Sequence, residues 1–66
     1  MQNNQNLLNL FEELYLLEKQ AKDFYDGLLK TLTNSEEVDV ITEIRDDEIE
    51  HMEIAKKLQE MIKNES

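Results

Sequence analysis

Residues 31–37, TLTNSEE, separate two long stretches of the chain that both have the apolar spacing of an amphipathic helix. Within this segment Thr33 with Glu36, or Asn34 with Glu37, fits the capping box that opens a helix. The chain has no proline, and the segment is rich in residues that favour helix ends over helix interiors. We therefore predict that a first helix ends here and that a second one begins.

The flanking stretches predict the two helices themselves. Apolar spacing in the first stretch passes through Leu7, Phe11, Leu14, position 18, Ala21, Tyr25, Leu28 and Leu32, and in the second through Ile41, Ile44, positions 48 and 51, Ala55, Leu58 and Ile62. The connection is too short for anything but an antiparallel hairpin. We predict an all-α, single-domain hairpin, with helix 1 over about 6–32, a turn over about 33–35 and helix 2 over about 36–63.

Length and composition limit what can stabilise such a fold. A chain of 66 residues without cysteine has no disulfides and only a small core, so a metal, oligomerisation or both must contribute. The formal net charge of −9 argues against nucleic acid and anionic membranes as partners and favours cations. Neither a signal peptide nor an apolar run approaching the roughly 20 residues of a membrane span is seen. We expect a cytoplasmic protein with no membrane partner.

A second apolar series runs along the first helix beside the main one. Leu10, Leu17 and Phe24 recur every seven residues, so helix 1 is apolar over more than one seam. A lone hairpin cannot cover both seams. We therefore predict that the hairpin dimerises into a four-helix bundle, with assembly of dimers into something larger as a further option.

Three polar residues occupy positions where the apolar pattern requires hydrophobic ones: Glu18 in helix 1, and Glu48 and His51 in helix 2. Glu18 precedes position 33 by fifteen residues and Glu48 follows it by fifteen, so a hairpin that turns there brings them to one level. His51 is three residues from Glu48 and shares its helix face. Because an unpaired carboxylate in a core costs several kcal/mol, something must neutralise this group.

One Glu plus Glu-x-x-His is half the ligand set of a two-metal carboxylate site in a helical bundle. Two hairpins related by a twofold axis supply two copies each of Glu18, Glu48 and His51, and their four carboxylates balance two divalent ions. Carboxylate and imidazole ligands suit iron, with manganese or zinc as substitutes. The alternative is an ion pair between core Glu and His residues that fixes helix register without a metal.

These residues carry a resemblance to a known family. EKQAKDFYDGLLKTL, with Glu18 seven positions before Tyr25, resembles the first metal helix of ferritin-like half-ferritins, of the encapsulated-ferritin and rubrerythrin-like kind. RDDEIEHMEIAKKLQEMI resembles their second metal helix, with Glu48 and His51 as the E-x-x-H ligands. The resemblance covers roughly positions 10–62.

The resemblance implies a ferroxidase that oxidises Fe(II) to Fe(III) in iron handling or storage. Two irons would lie at each dimer interface, commonly in a ring of dimers, with Glu18, Glu48 and His51 as catalytic metal ligands and Glu48 favoured as the bridge. An encapsulin shell is a partner within this family and would place the protein inside a compartment, but no docking tail is seen after the final KNES. Leu17 and Gln20 stand where the family has accessory glutamates, so a family-type iron entry site is not expected.

Two other functions remain open from the sequence. One is a rubrerythrin-like peroxide reductase, which would need a separate electron donor because the chain has no cysteine-rich electron-transfer domain. The other is a non-enzymatic, metal-stabilised helical dimerisation module.

Overall fold

The computed structural model describes residues 4–65, which form two α-helices, α1 over Asn4–Leu29 and α2 over Ser35–Glu65. The helices pack against each other as a hairpin whose Cα atoms extend over 54 × 14 × 11 Å. The predicted all-α hairpin is thus confirmed. Within the described range, neither helix is long and apolar enough to cross a membrane.

Helix α1 ends at Leu29, three residues before the predicted end at 32. The Thr31 amide donates to the Leu28 carbonyl at 2.9 Å, and the Thr31 hydroxyl donates to the same oxygen at 2.9 Å. This bond spans three residues instead of four, so the chain tightens into a turn after α1. Leu32 lies beyond the helix but stays half-buried. The apolar series therefore continues past the point at which the helical backbone stops.

Helix α2 is capped by Asn34. Its side-chain Oδ1 accepts a hydrogen bond from the Glu37 amide at 3.1 Å, and its carbonyl accepts one from the Val38 amide at 3.0 Å. Of the two predicted capping pairs, Asn34 with Glu37 is the one for which the structure shows a hydrogen bond, from the Glu37 amide to the Asn34 side chain. Glu36 and Glu37 lie in the first turn, where negative charge interacts favourably with the helix dipole. The cap explains why α2 begins at Ser35.

The hairpin buries little of its own surface. Among the residues whose burial is described, only Ala55 and Ile62 are buried, at 1% and 8% exposure. The accessible surface is 5162 Å², whereas a compact protein of this mass has roughly 4,400 Å². The excess reflects the elongated shape of the hairpin. The hairpin alone thus encloses only a small core.

Several large apolar side chains are exposed on one side of the hairpin. Leu10, Leu17 and Phe24 of α1 are 61%, 62% and 63% exposed. A matching series on α2 repeats every seven residues and is interrupted only by the exposed Asp47; it consists of Val40, Ile54 and Met61. At 100° per residue, both series point to the same side of an antiparallel pair. We call these six residues the apolar face.

Two residues of the main apolar series of helix 1 border this apolar face. Leu7 and Leu14 are 38% and 39% exposed, while their neighbours Leu8 and Tyr15 are less exposed and lie nearer α2. A straight helix drifts about 20° per heptad relative to a repeat of 3.5 residues, so a seven-residue series does not stay centred on one partner. Leu7 and Leu14 thereby connect the interhelical seam to the apolar face.

The opposite side of the hairpin is polar, and side-chain contacts there connect the two helices. Arg45 Nη1 donates to Asp26 Oδ1 at 2.9 Å, and Lys22 Nζ lies 2.9 Å from the other Asp26 oxygen. Lys22, and after it Arg45, hold the pKa of Asp26 below its usual range. Nearer the open end, Gln59 Nε2 donates to Glu12 Oε1 at 3.2 Å. These contacts fix the register of α1 on α2 without covering the apolar face.

Candidate metal centre

Glu18, Glu48 and His51 converge at one level of the hairpin. Glu18 extends from α1, and Glu48 and His51 lie one turn apart on α2. His51 Nδ1 lies 3.7 Å from Glu18 Oε2 and 3.5 Å from Glu48 Oε1. One ligand atom from each residue lies within 4.8 Å of the other two. The structure therefore brings together all three residues that the apolar pattern singled out.

The three side chains differ in depth. Those of Glu18 and Glu48 are 20% and 17% exposed, whereas that of His51 is 53% exposed. Ala55, the most buried residue described, lies one turn beyond His51 and takes up little space beside the cluster. The two carboxyl groups are thus enclosed by the helices, while the imidazole stands at the edge of the apolar face.

The carboxyl group of Glu48 has a buried oxygen atom without a hydrogen-bond partner. Its Oε1 atom is shielded from solvent and has no hydrogen-bond partner, since the 3.5 Å contact with His51 is too long for a strong bond. A hydrogen bond with Glu18 can form only when one of the two carboxyl groups holds a proton. That bond, together with burial and the charge of Glu18, raises the pKa of Glu48 despite an opposing effect of His51. The two carboxyl groups therefore repel each other whenever both are ionised.

Nearby basic side chains are engaged elsewhere. Lys19 binds Asp23 at 3.1 Å, and Lys22 binds Asp26. Arg45, one turn before Glu48, divides its donors between Asp26 and Asp46 at 2.9 Å each. Within the described part of the chain, no lysine or arginine pairs with either carboxylate of the cluster. Only a partly exposed histidine shares the site with them.

This donor set fits a divalent transition metal. Carboxylate oxygen and imidazole nitrogen suit iron, manganese and zinc, and the cluster offers no thiolate that would select softer ions. A metal ion at this point would give Glu48 Oε1 the positive partner that the protein does not provide. The alternative, an ion pair that fixes helix register without a metal, has less support, because neither contact of His51 with a carboxyl group is short enough for a strong hydrogen bond.

A shallow cavity opens from the cluster toward the apolar face. Its lining includes Glu18 and His51 together with apolar side chains of both helices, namely Leu14, Ile54, Ala55 and Leu58. Ile54 belongs to the apolar face and Leu14 borders it. The candidate metal centre and the apolar face are therefore one continuous region.

Sequence reasoning missed the contacts that bracket the centre. The Asp26–Arg45 pair lies toward the turn and the Glu12–Gln59 hydrogen bond lies toward the open end. The apolar period gives no sign of them, because all four residues fall outside it. These contacts join residues of opposite charge, or a hydrogen-bond donor and an acceptor, at facing positions of the antiparallel hairpin. They can be recognised in the sequence once the register of the two helices is known.

Comparison of the chain with protein-family models, with curated proteins and with solved structures finds no match. The resemblance to ferritin-like half-ferritins therefore rests on the metal-helix motifs alone. The geometry of Glu18, Glu48 and His51 and the adjoining apolar face are the observations from which a function can be argued.

Proposed function

We propose that this protein is a di-iron carboxylate ferroxidase whose site is shared between two copies of the chain. The observation that carries the proposal is the convergence of Glu18 from one helix with Glu48 and His51 from the other, with ligand atoms within 4.8 Å. This is half of the ligand set of a two-metal bundle site. The cluster also opens onto a surface that a second copy can cover.

The apolar face and the charge of the cluster both support a second copy. The six residues of the apolar face are between 49% and 63% exposed in the single hairpin, and a contiguous apolar surface of this kind marks a site of protein association. Pairing by a twofold axis would supply two Glu18, two Glu48 and two His51. Their four carboxylates carry −4, which two divalent ions balance. The fold of the assembled protein would be a four-helix bundle, with rings of dimers as a further level of assembly.

When bound, iron would supply the redox chemistry: two Fe(II) would lose one electron each, and dioxygen or peroxide would take both electrons with two protons, giving hydrogen peroxide or water respectively. The residues of the chain would bind the iron ions and orient them. Glu18 and Glu48 are hard oxygen ligands that suit both oxidation states of iron. His51 would add an imidazole ligand, and a second copy that covers the cavity would limit access of water to the site.

Iron oxidation by the purified protein tests the proposal. Fe(II) is added anaerobically to metal-free protein, air is admitted, and ferric absorbance is followed while the oligomeric mass is recorded. Saturation near one iron per chain, with oxidation faster than in buffer, supports the proposal. Glu48→Gln should lose this activity, while Glu50→Gln, an exposed glutamate on the same helix turned about 200° away, should keep it. Wild-type rates in Glu48→Gln would refute the assignment.

The same assay separates the two alternatives. Faster oxidation with peroxide than with dioxygen would favour a rubrerythrin-like peroxide reductase working with an external electron donor. Metal binding without accelerated oxidation would favour a metal-stabilised dimerisation module, which the small core of the hairpin also makes physically reasonable. Manganese or zinc would serve such a module as well as iron does.

A further inference from the structure

We propose that each hairpin alone captures one divalent transition-metal ion, so that metal binding precedes the pairing of two copies. This inference rests on the proposed function and adds the order of its steps. A site shared by two subunits could instead exist only after they pair. The arrangement within one chain indicates that half of the site is ready beforehand.

All three ligand atoms of the half-site belong to one chain and already lie within 4.8 Å of one another. An ion held by Glu18, Glu48 and His51 would need only short side-chain adjustments, because the two carboxyl groups are already enclosed between the helices. Two carboxylates and one divalent ion are neutral together. The single hairpin thus satisfies charge balance by itself, without ligands from a second copy.

The scaffold around the half-site is fixed by contacts internal to the hairpin. The Arg45–Asp26 pair at 2.9 Å lies on the turn side of the cluster, and the Gln59–Glu12 hydrogen bond at 3.2 Å lies on its other side. Both are on the polar side of the hairpin, away from the apolar face. The register that aligns the ligands therefore does not depend on a partner.

The half-site is accessible before pairing and enclosed afterwards. His51 is 53% exposed and lies at the mouth of the cavity that opens onto the apolar face. An ion can reach the cluster from this side while the face is free. Pairing two metal-free copies would bring two clusters of two carboxylates each into an apolar interface, where unneutralised charge is costly. The loaded hairpin lacks this penalty, so the favoured order is metal first and partner second.

Native mass spectrometry of the wild-type chain with less than one equivalent of Co(II) tests this order. We expect a monomer carrying one Co(II) ion, and the His51→Ala chain, measured in parallel to correct for adventitious adducts, should bind Co(II) at least about 100-fold more weakly. Co(II) found only on dimers, even at protein concentrations low enough for the loaded dimer to dissociate, would overturn the inference but leave the proposed function standing. Absence of Co(II) binding in any state would overturn both.

A second variant makes the test independent of the monomer–dimer equilibrium. Leu10→Gln/Leu17→Gln/Phe24→Gln replaces the apolar face of α1 by neutral residues of good helix propensity that add no metal-binding charge. We expect this chain to stay monomeric and to bind one Co(II) with an affinity within about tenfold of the wild-type chain, read from d–d absorption and from helicity with and without metal. Loss of Co(II) binding by a chain that stays helical would overturn the inference.

Discussion

Replacing Leu17 by glutamine should separate two copies of the hairpin without unfolding either one. Leu17 is 62% exposed in the single hairpin, so the substitution removes little that stabilises the monomer. In a dimer covered by the apolar face, that exposed portion would become buried. Glutamine keeps good helix propensity, so the effect should be confined to association.

The size of the effect follows from the exposed fraction. Full burial of a leucine side chain contributes about 1.5–3 kcal/mol, so burying the remaining 62% contributes roughly 1–2 kcal/mol per chain. A twofold dimer counts this contribution twice, about 2–4 kcal/mol in all. At 1.4 kcal/mol per factor of ten, the dimer dissociation constant should rise roughly 30- to 700-fold.

Sedimentation equilibrium of metal-loaded protein over a range of concentrations measures that constant. The matched control is Leu16→Gln: Leu16 is 46% exposed, but it points away from both α2 and the apolar face. It should leave the dissociation constant within about twofold. Equal effects of the two substitutions would refute the assignment of the apolar face as the dimer interface, and so would an unchanged constant in Leu17→Gln.

Three further outcomes follow from the charges of the site and its surroundings. Metal-free Glu48→Gln should melt at a higher temperature than the wild-type chain at pH 7, because Glu18 and burial raise the pKa of Glu48 in the folded state. The difference in melting temperature should shrink as the pH falls through that raised pKa and vanish below the unfolded value near 4.5. A lower melting temperature for the variant at pH 7 would contradict this prediction. Asp26→Asn should lower the free energy of unfolding in urea above pH 4, because Lys22 and then Arg45 depress the pKa of Asp26 in the folded state. The greater stability of the wild-type chain should disappear as the pH falls through that depressed pKa. If it persists below that pKa, the ion pairs of Asp26 with Lys22 and Arg45 are not its cause. Co(II) at 100 times its dissociation constant should raise the unfolding free energy by about 2.7 kcal/mol, a shift that chelator reverses in a thermal melt and that a purely structural cluster would not show.

The hairpin and its polar cluster could be predicted because each depends on a repeated local pattern. Apolar spacing on both sides of Asn34 predicts two helices, and the short connection forces them to be antiparallel. Glu18, Glu48 and His51 then stand out as polar residues in apolar positions. Their convergence needs only the position of the turn, which the cap by Asn34 marks in both sequence and structure.

Details set by packing were harder to predict. The end of α1 was placed three residues too late because Leu32 stays half-buried after the helical backbone has ended, and an apolar period cannot distinguish these two states. Leu7 and Leu14 belong to the main apolar series of helix 1, yet they border the apolar face. A leucine between two apolar seams can turn toward either, and the choice depends on the rotation of the whole helix.

The polar cluster links the stability of the hairpin to its proposed chemistry. Glu18 and Glu48 occupy positions that leucine would fill in a purely structural hairpin, and within the described chain neither pairs with a lysine or an arginine. A chain with so small a core gains no stability from such a cluster while it is metal-free. A bound ion reverses the sign of that contribution, because it converts mutual repulsion into two attractive contacts. Under the proposed function, the residues that weaken the metal-free hairpin would therefore be the ones that make its stability depend on metal, and the apolar face beside them would receive the second copy.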